Sequence, residues 1–148
     1  MILISACLCG CPCRYDGRRL ELPEIIDWLK DQKWTAVCPE QLGGLPTPRP
    51  PASLRGGDGA AVLSGQARVI DAHARDVTPA YIAGAETVLE LARRLNVDRI
   101  YLKDRSPSCG VRPMIDETGQ RRGQGVCAAL LAEAGFELIE VQASGRRD

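Results

Sequence analysis

The chain has 148 residues, of which 45% are hydrophobic and 26% are charged. This length fits a single domain over residues 1–148, with a core large enough to fold without disulfide bonds. The 19 Lys and Arg residues balance the 19 Asp and Glu residues, which argues against a protein that coats duplex nucleic acid. The N-terminal apolar run is short and follows no positive charge, so we expect no signal peptide or membrane span and a cytoplasmic location.

The first part of the chain predicts a strand, a loop, a helix and a strand. Ile2–Ser5 predicts a short strand that ends in a loop with cysteines at positions 7, 9, 11 and 13. Apolar residues at helical spacing predict a helix over Leu22–Gln32, with a proline in its first turn. Trp34–Val37 predicts a second strand, which runs directly into Cys38. The stretch GGLPTPRPPASLRGGDG that follows is dense in Gly and Pro and predicts a long loop.

After this loop, strands and helices alternate again. A short hairpin is predicted from Val62–Leu63 and Arg68–Ile70 around a Ser-Gly turn. Thr78 is expected to cap a helix that runs to about Leu95. The remaining predicted elements are a strand over Asp98–Lys103, a turn-rich stretch over Asp116–Gly125, a helix over Gln124–Ala134 and a strand over Phe136–Val141. This alternation predicts an α/β fold with a mostly parallel, twisted sheet and helices on both faces, as in Rossmann-like folds.

Three cysteines each follow a predicted strand: Cys7, Cys38 and Cys109. Because the carboxyl ends of parallel strands meet at one edge of a sheet, where ligands bind in such folds, we expect these three cysteines to converge. The chain contains seven cysteines. In a reducing compartment, this density of thiols indicates metal binding or catalysis sooner than a set of disulfides.

Two kinds of metal site agree with the residues alone. Zinc needs four ligands, and Cys7 with Cys11, or Cys9 with Cys13, has the spacing of a zinc-binding pair. An iron–sulfur cluster also accepts ligands scattered over loops, and three protein thiolates on a four-iron cluster leave one iron open for a substrate atom. Cys127 is expected to be a small hydrophobic residue within a helix, and the same interpretation is favoured for Cys9 and Cys11.

The chain resembles the TudS family of thiouracil desulfidases in five blocks that occur in the same order and spacing: SACLCGCPCRYDG, CPEQLGGLPTPRPP, DVTPAYIAGAE, KDRSPSCG and GQGVCAALLAEAGFELIEV. The resemblance covers nearly the whole chain. It implies an α/β domain that holds a [4Fe-4S] cluster on three cysteines. It also implies that the open iron captures the sulfur of a thiolated pyrimidine, and that this sulfur is exchanged for oxygen from water without net redox change.

The resemblance also implies roles for single residues. The cluster ligands of the family fall on Cys7, Cys38 and Cys109, and its acid–base residues fall on Glu40 and Ser106. A carboxylate at such a site takes a proton from the attacking water, and a hydroxyl relays a proton to the ring. The residues alone agree equally well with Glu40 as a carboxylate that caps backbone amides and with Ser106 as a turn residue.

The first loop departs from the family pattern, because Cys9 and Cys11 are additional thiols. Cys13 lies at a position where the family carries Cys or an apolar residue, so it is not expected to be a ligand. Arg14 and Arg49 have side chains suited to a base or a phosphate, although such arginines more often tie loops together.

Two further signals are weak. The Gly123–Gly125 turn before the last helix has amides that suit an anion such as a nucleotide phosphate. His73 is the only histidine, and we expect it to be an exposed loop residue.

The sequence therefore predicts a cytoplasmic enzyme that removes sulfur from a thiolated pyrimidine base or nucleotide, of the thiouracil-to-uracil type, and releases sulfide. Its zero net charge favours small-molecule substrates over RNA. The alternative is a non-catalytic module in which the CxCxCxC loop binds zinc or exchanges disulfides.

Overall fold

The computed structural model describes residues 1–115 and 121–143. The elements follow one another in the order β1 (Ile2–Ser5), a 3₁₀ helix (Ala6–Cys9), α1 (Pro23–Leu29), β2 (Trp34–Val37), α2 (Pro39–Leu42), β3 (Ala52–Arg55), α3 (Gly59–Leu63), β4 (Arg68–Asp71), α4 (Thr78–Arg94), β5 (Arg99–Lys103), β6 (Met114–Ile115), β7 (Arg121–Arg122), α5 (Val126–Glu133) and β8 (Glu137–Val141).

Four parallel strands form the central sheet, in the spatial order β2-β1-β5-β8. The chain passes from β1 to β2 on one side and then crosses back to β5 on the other side of β1. The topological switch point therefore lies between β1 and β5, beside which ligands bind at the carboxyl ends of the strands in open α/β sheets. The predicted parallel α/β fold is confirmed.

The sheet separates two apolar cores, because successive side chains of a strand point to opposite faces. Ile2 and Ile4 contribute to the core on the α1 side, together with Leu29 of α1. Leu3 belongs to the other core, which includes Val88 of α4 and residues of α5. Helices therefore cover both faces of the sheet, as predicted.

The predicted hairpin from Val62–Leu63 is wrong, because these residues belong to α3. Asp58 starts this helix, since its side chain accepts a hydrogen bond from the Ala61 amide at 3.0 Å. The strand that pairs with β4 is β3, in an antiparallel arrangement with Ser53 opposite Ile70. The long Gly- and Pro-rich loop thus contains a strand and a helix, and the Asp-Gly pair that reads as a turn is a helix start.

The long helix α4 begins one residue earlier than predicted, and Thr78 does not cap it. Val77 occupies the N-cap position. The Thr78 hydroxyl instead accepts a hydrogen bond from the Val69 amide at 2.8 Å, and the Thr78 amide donates to Asp76. The Thr78 hydroxyl therefore bonds to the amide of a buried strand residue and not to the first turn of its own helix. This is a tertiary contact, which the local sequence pattern does not reveal.

The other predicted elements agree with the structure to within three residues at their ends. Part of the turn-rich stretch over Asp116–Gly125 lies outside the described residues; β6 and β7 pair antiparallel beside it. In the described part of the chain, no helix combines the length and the apolar character that crossing a membrane requires.

Candidate active site

The three loops that follow β1, β2 and β5 meet at one cavity of about 220 Å³, which we call the site cavity. Cys7, Cys38 and Cys109 line it, and so do Glu40 and Ser106. The predicted convergence of the three cysteines is therefore confirmed. It arises because their strands are parallel neighbours in the sheet, so that their carboxyl ends lie side by side.

The first two loops are joined by thiol contacts around Cys13. Its buried thiol forms hydrogen bonds with the thiols of Cys7 and Cys38, and the Cys38 thiol also donates to the Cys13 carbonyl at 3.9 Å. The hydrogen bond with Cys38 lowers the pKa of Cys13, but the bond with Cys7 and burial together raise it to about 12. Cys13 was not expected to be a cluster ligand, yet its thiol contacts Cys7 and Cys38, which were.

The third loop presents Cys109 through a turn organised by Ser106. The Ser106 hydroxyl accepts hydrogen bonds from the amides of Ser108 at 3.1 Å and Cys109 at 2.9 Å. Burial raises the pKa of the Cys109 thiol to about 12, although hydrogen bonds with Ser5 and Ser106 oppose the rise. Ser106 is therefore a turn residue that also lines the cavity.

Glu40 is carried by the first turn of α2, where Cys38 is the N-cap and Pro39 the first helical residue. This short helix packs closely on α4. A side-chain carbon added at Gly43 would collide with the Ala80 carbonyl, and one added at Gly84 would collide with the Pro39 carbonyl. The backbone of Glu40 is thus held against α4 by contacts that only glycine permits.

The Glu40 carboxylate is paired with Arg49, whose guanidinium lies 2.6 Å from it. Tyr81 of α4 lines the cavity beside Glu40, and burial raises the pKa of its hydroxyl, with the Glu40 charge adding to the rise. Burial alone would lower the pKa of Arg49, but the Glu40 carboxylate raises it. The alternative in which Glu40 caps backbone amides is not what the structure shows, since its carboxylate pairs with the buried Arg49 side chain.

Other residues singled out in the sequence lie away from the cavity. Cys9 and Cys11 are half-buried and do not line it, and Cys127 is buried within α5 as expected. His73 is exposed and contacts Arg75, as expected for a loop residue. The amides of Gly125 and Val126 donate to the carbonyls of Gly110 and Pro107; these two amides are therefore occupied, and anion binding by the rest of the Gly123–Gly125 turn stays a prediction.

The donor set at the cavity suits an iron–sulfur cluster. It consists of thiols from three loops spread around an open volume, and soft thiolates are the ligands that such clusters take. Within residues 1–115 and 121–143, no three His, Cys, Asp or Glu side chains are close enough to share one metal ion. The arrangement therefore fits a group with several irons better than it fits a four-ligand zinc ion.

Comparison with known proteins agrees with this site. A protein-family model described as 2-thiouracil desulfurase matches residues 2–143. The chain belongs to the 2-thiouracil desulfurase family. It is 42% identical over 142 residues to YbbK, an uncharacterized protein of Bacillus subtilis (strain 168), with 94% of both chains covered. The solved structure of the [4Fe-4S]-dependent thiouracil desulfidase TudS is 36% identical, with a TM-score of 0.78 over 94% of this chain and 89% of that chain.

The family resemblance seen in the sequence is thereby confirmed, but sequence reasoning missed several residues that line the site cavity. Ser5 and Tyr81 were not singled out, and Cys13 was set aside. The position of Ser5 at the end of β1 was a usable signal, because it precedes the switch point. Tyr81 gave no such signal, since only the packing of α2 on α4 brings it to the cavity.

Proposed function

We propose that this protein removes the sulfur atom from a thiolated pyrimidine base or nucleotide and releases it as sulfide, in the manner of thiouracil to uracil. The observation that carries the proposal is the single cavity in which three loop cysteines meet a carboxylate and a hydroxyl. Membership of the 2-thiouracil desulfurase family and the likeness to the [4Fe-4S]-dependent TudS support both the activity and the cofactor.

Cys7, Cys38 and Cys109 are the residues that would hold the cofactor. A [4Fe-4S] cluster held by these three thiolates would supply one iron without a protein ligand, which would serve as a Lewis acid for the substrate sulfur. Each of the three thiols comes from a different loop, so that the sheet edge, not a local sequence motif, sets their spacing.

Glu40 is the proposed proton acceptor for the attacking water. Its carboxylate lines the same cavity as the three cysteines and is held on α2 two residues after Cys38. A positioned carboxylate of this kind accepts the proton that water loses when it attacks the carbon bearing the sulfur.

Ser106 is the proposed relay for a proton to the pyrimidine ring. Its oxygen accepts from two backbone amides, which fixes the oxygen in place, and its hydroxyl, which is hydrogen-bonded to the Cys109 thiol, is the group that would pass on the proton. The turn that positions Cys109 therefore also positions this hydroxyl.

The cavity walls suit a small base or its nucleotide. Pro50 and Pro51 supply apolar surface, and Arg14 and Arg105 bring positive charge that favours a phosphate group. All seven cysteines are free thiols, a state that the reducing cytoplasm maintains, so we place the activity there.

Sulfide release from purified protein tests this function. The protein is reconstituted anaerobically with iron and sulfide, its metal content is measured, and it is incubated with thiouracil, thiouridine and the thiolated uridine monophosphate. We expect a brown protein that converts at least one of these to the oxygen form with stoichiometric sulfide. A colourless protein that binds zinc and releases no sulfide from any of them would instead support the zinc-binding or thiol-redox alternative.

A further inference from the structure

The Arg49 side chain makes several hydrogen bonds at the cavity. Its Nε lies 2.8 Å and its Nη2 lies 2.6 Å from the same atom, Oε2 of Glu40. Only 5% of the Arg49 side chain and 14% of the Glu40 side chain are exposed. Hydrogen bonds between such ionised groups are short and strong, and burial shields them from competing water.

The same guanidinium also reaches the first cysteine loop. Nη2 donates to the Cys13 carbonyl at 2.9 Å, and the Arg49 amide donates to the Tyr15 carbonyl at 2.7 Å. Nη1 donates to Pro46 and Thr47 in the loop that carries Arg49 itself. One arginine thus links the carboxylate of the second cysteine loop to the backbone of the first.

These contacts leave the two oxygens of Glu40 in different situations. Both nitrogens of Arg49 that reach Glu40 fall on Oε2, so Oε1 is the oxygen that Arg49 leaves open. A glutamate side chain turns about three bonds and samples many rotamers unless its end is held. Packing of α2 on α4 holds the backbone of Glu40. Arg49 holds its carboxylate, to which the Tyr81 hydroxyl of α4 is also hydrogen-bonded.

We propose that Arg49 is a positioning residue of the desulfidase reaction: it holds Glu40 by Oε2 and so aims Oε1 at the water that attacks the substrate. The proposal rests on the proposed function, since it gives Glu40 its place in that reaction. Lysine at position 49 would keep the positive charge but lose the fork that spans Oε2, the Cys13 carbonyl and the Thr47 loop.

The test compares Arg49→Lys and Arg49→Ala with wild-type protein of matched iron content. Displacement of a catalytic group by about 1 Å costs on the order of 10²-fold in rate, so we expect kcat to fall about 10- to 100-fold, with KM and iron content close to wild type. Added guanidinium ion, at low millimolar concentration, should restore part of the rate of Arg49→Ala, whereas urea should not. Arg19→Lys is the matched control, because Arg19 donates to the Gly10 carbonyl on the exposed side of the same loop.

The orientation of Glu40 is measured separately by crystal structures of wild type and Arg49→Lys, a comparison that does not depend on turnover. We expect the Glu40 carboxylate to leave its wild-type position in the variant. A Glu40 carboxylate in its wild-type position in Arg49→Lys would overturn the proposal. A wild-type kcat in Arg49→Lys would overturn it too, and so would a loss of activity that is explained by loss of iron. Failure of the wild-type protein to release sulfide from any thiolated pyrimidine would overturn the proposed function instead. Sulfide release by wild type therefore tests the function, and the position of the Glu40 carboxylate tests the role of Arg49.

Discussion

Two cavities border the first cysteine loop, and we propose that the smaller one carries the chemistry. The larger, which we call the outer groove, has a volume of about 730 Å³ and is lined by Cys9, Arg19, the stretch from Leu20 to Glu24 and neighbouring residues of α1. The site cavity, at about 220 Å³, is lined by Cys7 and Cys13 of the same loop. Cavity size alone would thus favour the outer groove, whereas convergence of reactive groups from several loops favours the site cavity.

The four thiols of this loop are separated by its local conformation. In a strand, cysteines at every second position would share one face. Here Ala6–Cys9 is a 3₁₀ helix, with about three residues per turn, so residues two apart point in different directions. Gly10 then ends the helix at a φ of 81°, a conformation that suits glycine. The loop therefore directs Cys7 and Cys9 to different sides.

The largest expected effect is a loss of iron, and it contrasts Cys7, which lines the site cavity, with Cys9, which lines the outer groove. Cys7→Ser should lose most of the reconstituted iron and sulfide, because three thiolates leave no spare anchor for the cluster. Cys9→Ser should retain them. Iron and labile sulfide are measured after anaerobic reconstitution, with Cys38→Ser and Cys109→Ser expected to behave like Cys7→Ser, and Cys127→Ser as a buried control. Full iron in Cys7→Ser with loss in Cys9→Ser would move the cluster to the outer groove.

The next effect contrasts one carboxylate from each cavity. Glu40→Gln should keep its iron and its affinity for the thiolated substrate but lose turnover by roughly 10²- to 10⁴-fold, the usual contribution of a general base. Glu21→Gln, in the outer groove, should turn over like wild type. The measurement is single-turnover sulfide release at matched iron content. Equal rates for the two variants would remove Glu40 from the mechanism.

A smaller effect is expected at Ser106. Ser106→Ala should slow turnover less than Glu40→Gln, because water can replace the relaying hydroxyl. It should also cost about 1–3 kcal/mol of stability, since two loop amides lose their acceptor. Urea unfolding and sulfide release measure the two effects. Ser64→Ala, at an exposed helix end, is the control, and a Ser106→Ala variant as active and stable as this control would contradict both roles.

The smallest effect concerns thiols that we expect to be dispensable. The double variant Cys9→Ser, Cys11→Ser should keep its iron and release sulfide within about twofold of wild type, because these half-buried thiols do not line the site cavity. In the wild-type holoprotein, iodoacetamide should label Cys9 and Cys11 well before Cys13, of which only 4% is exposed. Mass spectrometry of the digested protein locates the label, and early labelling of Cys13 would contradict the burial of its thiol.

The sequence by itself determined the α/β class, the parallel sheet and the family. Apolar runs such as Ile2–Ser5 and Trp34–Val37 predicted strands because the burial of a strand leaves a local sequence pattern. The five family blocks can be recognised without any knowledge of tertiary contacts. The expectation that residues 1–148 form a single domain stays a prediction. The convergence of Cys7, Cys38 and Cys109 was also predictable, because it follows from the parallel order of the strands alone.

Tertiary structure decided what surrounds those three thiols. Arg49, Tyr81 and Cys13 are far from one another along the chain, and each reaches the site through a contact that no local pattern encodes. The Arg49 guanidinium donates to the Cys13 carbonyl, which also accepts from the Cys38 thiol. Tyr81 lies on α4, which glycines allow to pack closely against α2. Val62–Leu63 joined a helix for a similar reason, since the Asp58 side chain and the packing of Gly59 against Gly125 outweighed a turn-like sequence. Local sequence sets strand and helix periods, whereas the partner of a buried polar group depends on which loops the fold brings together.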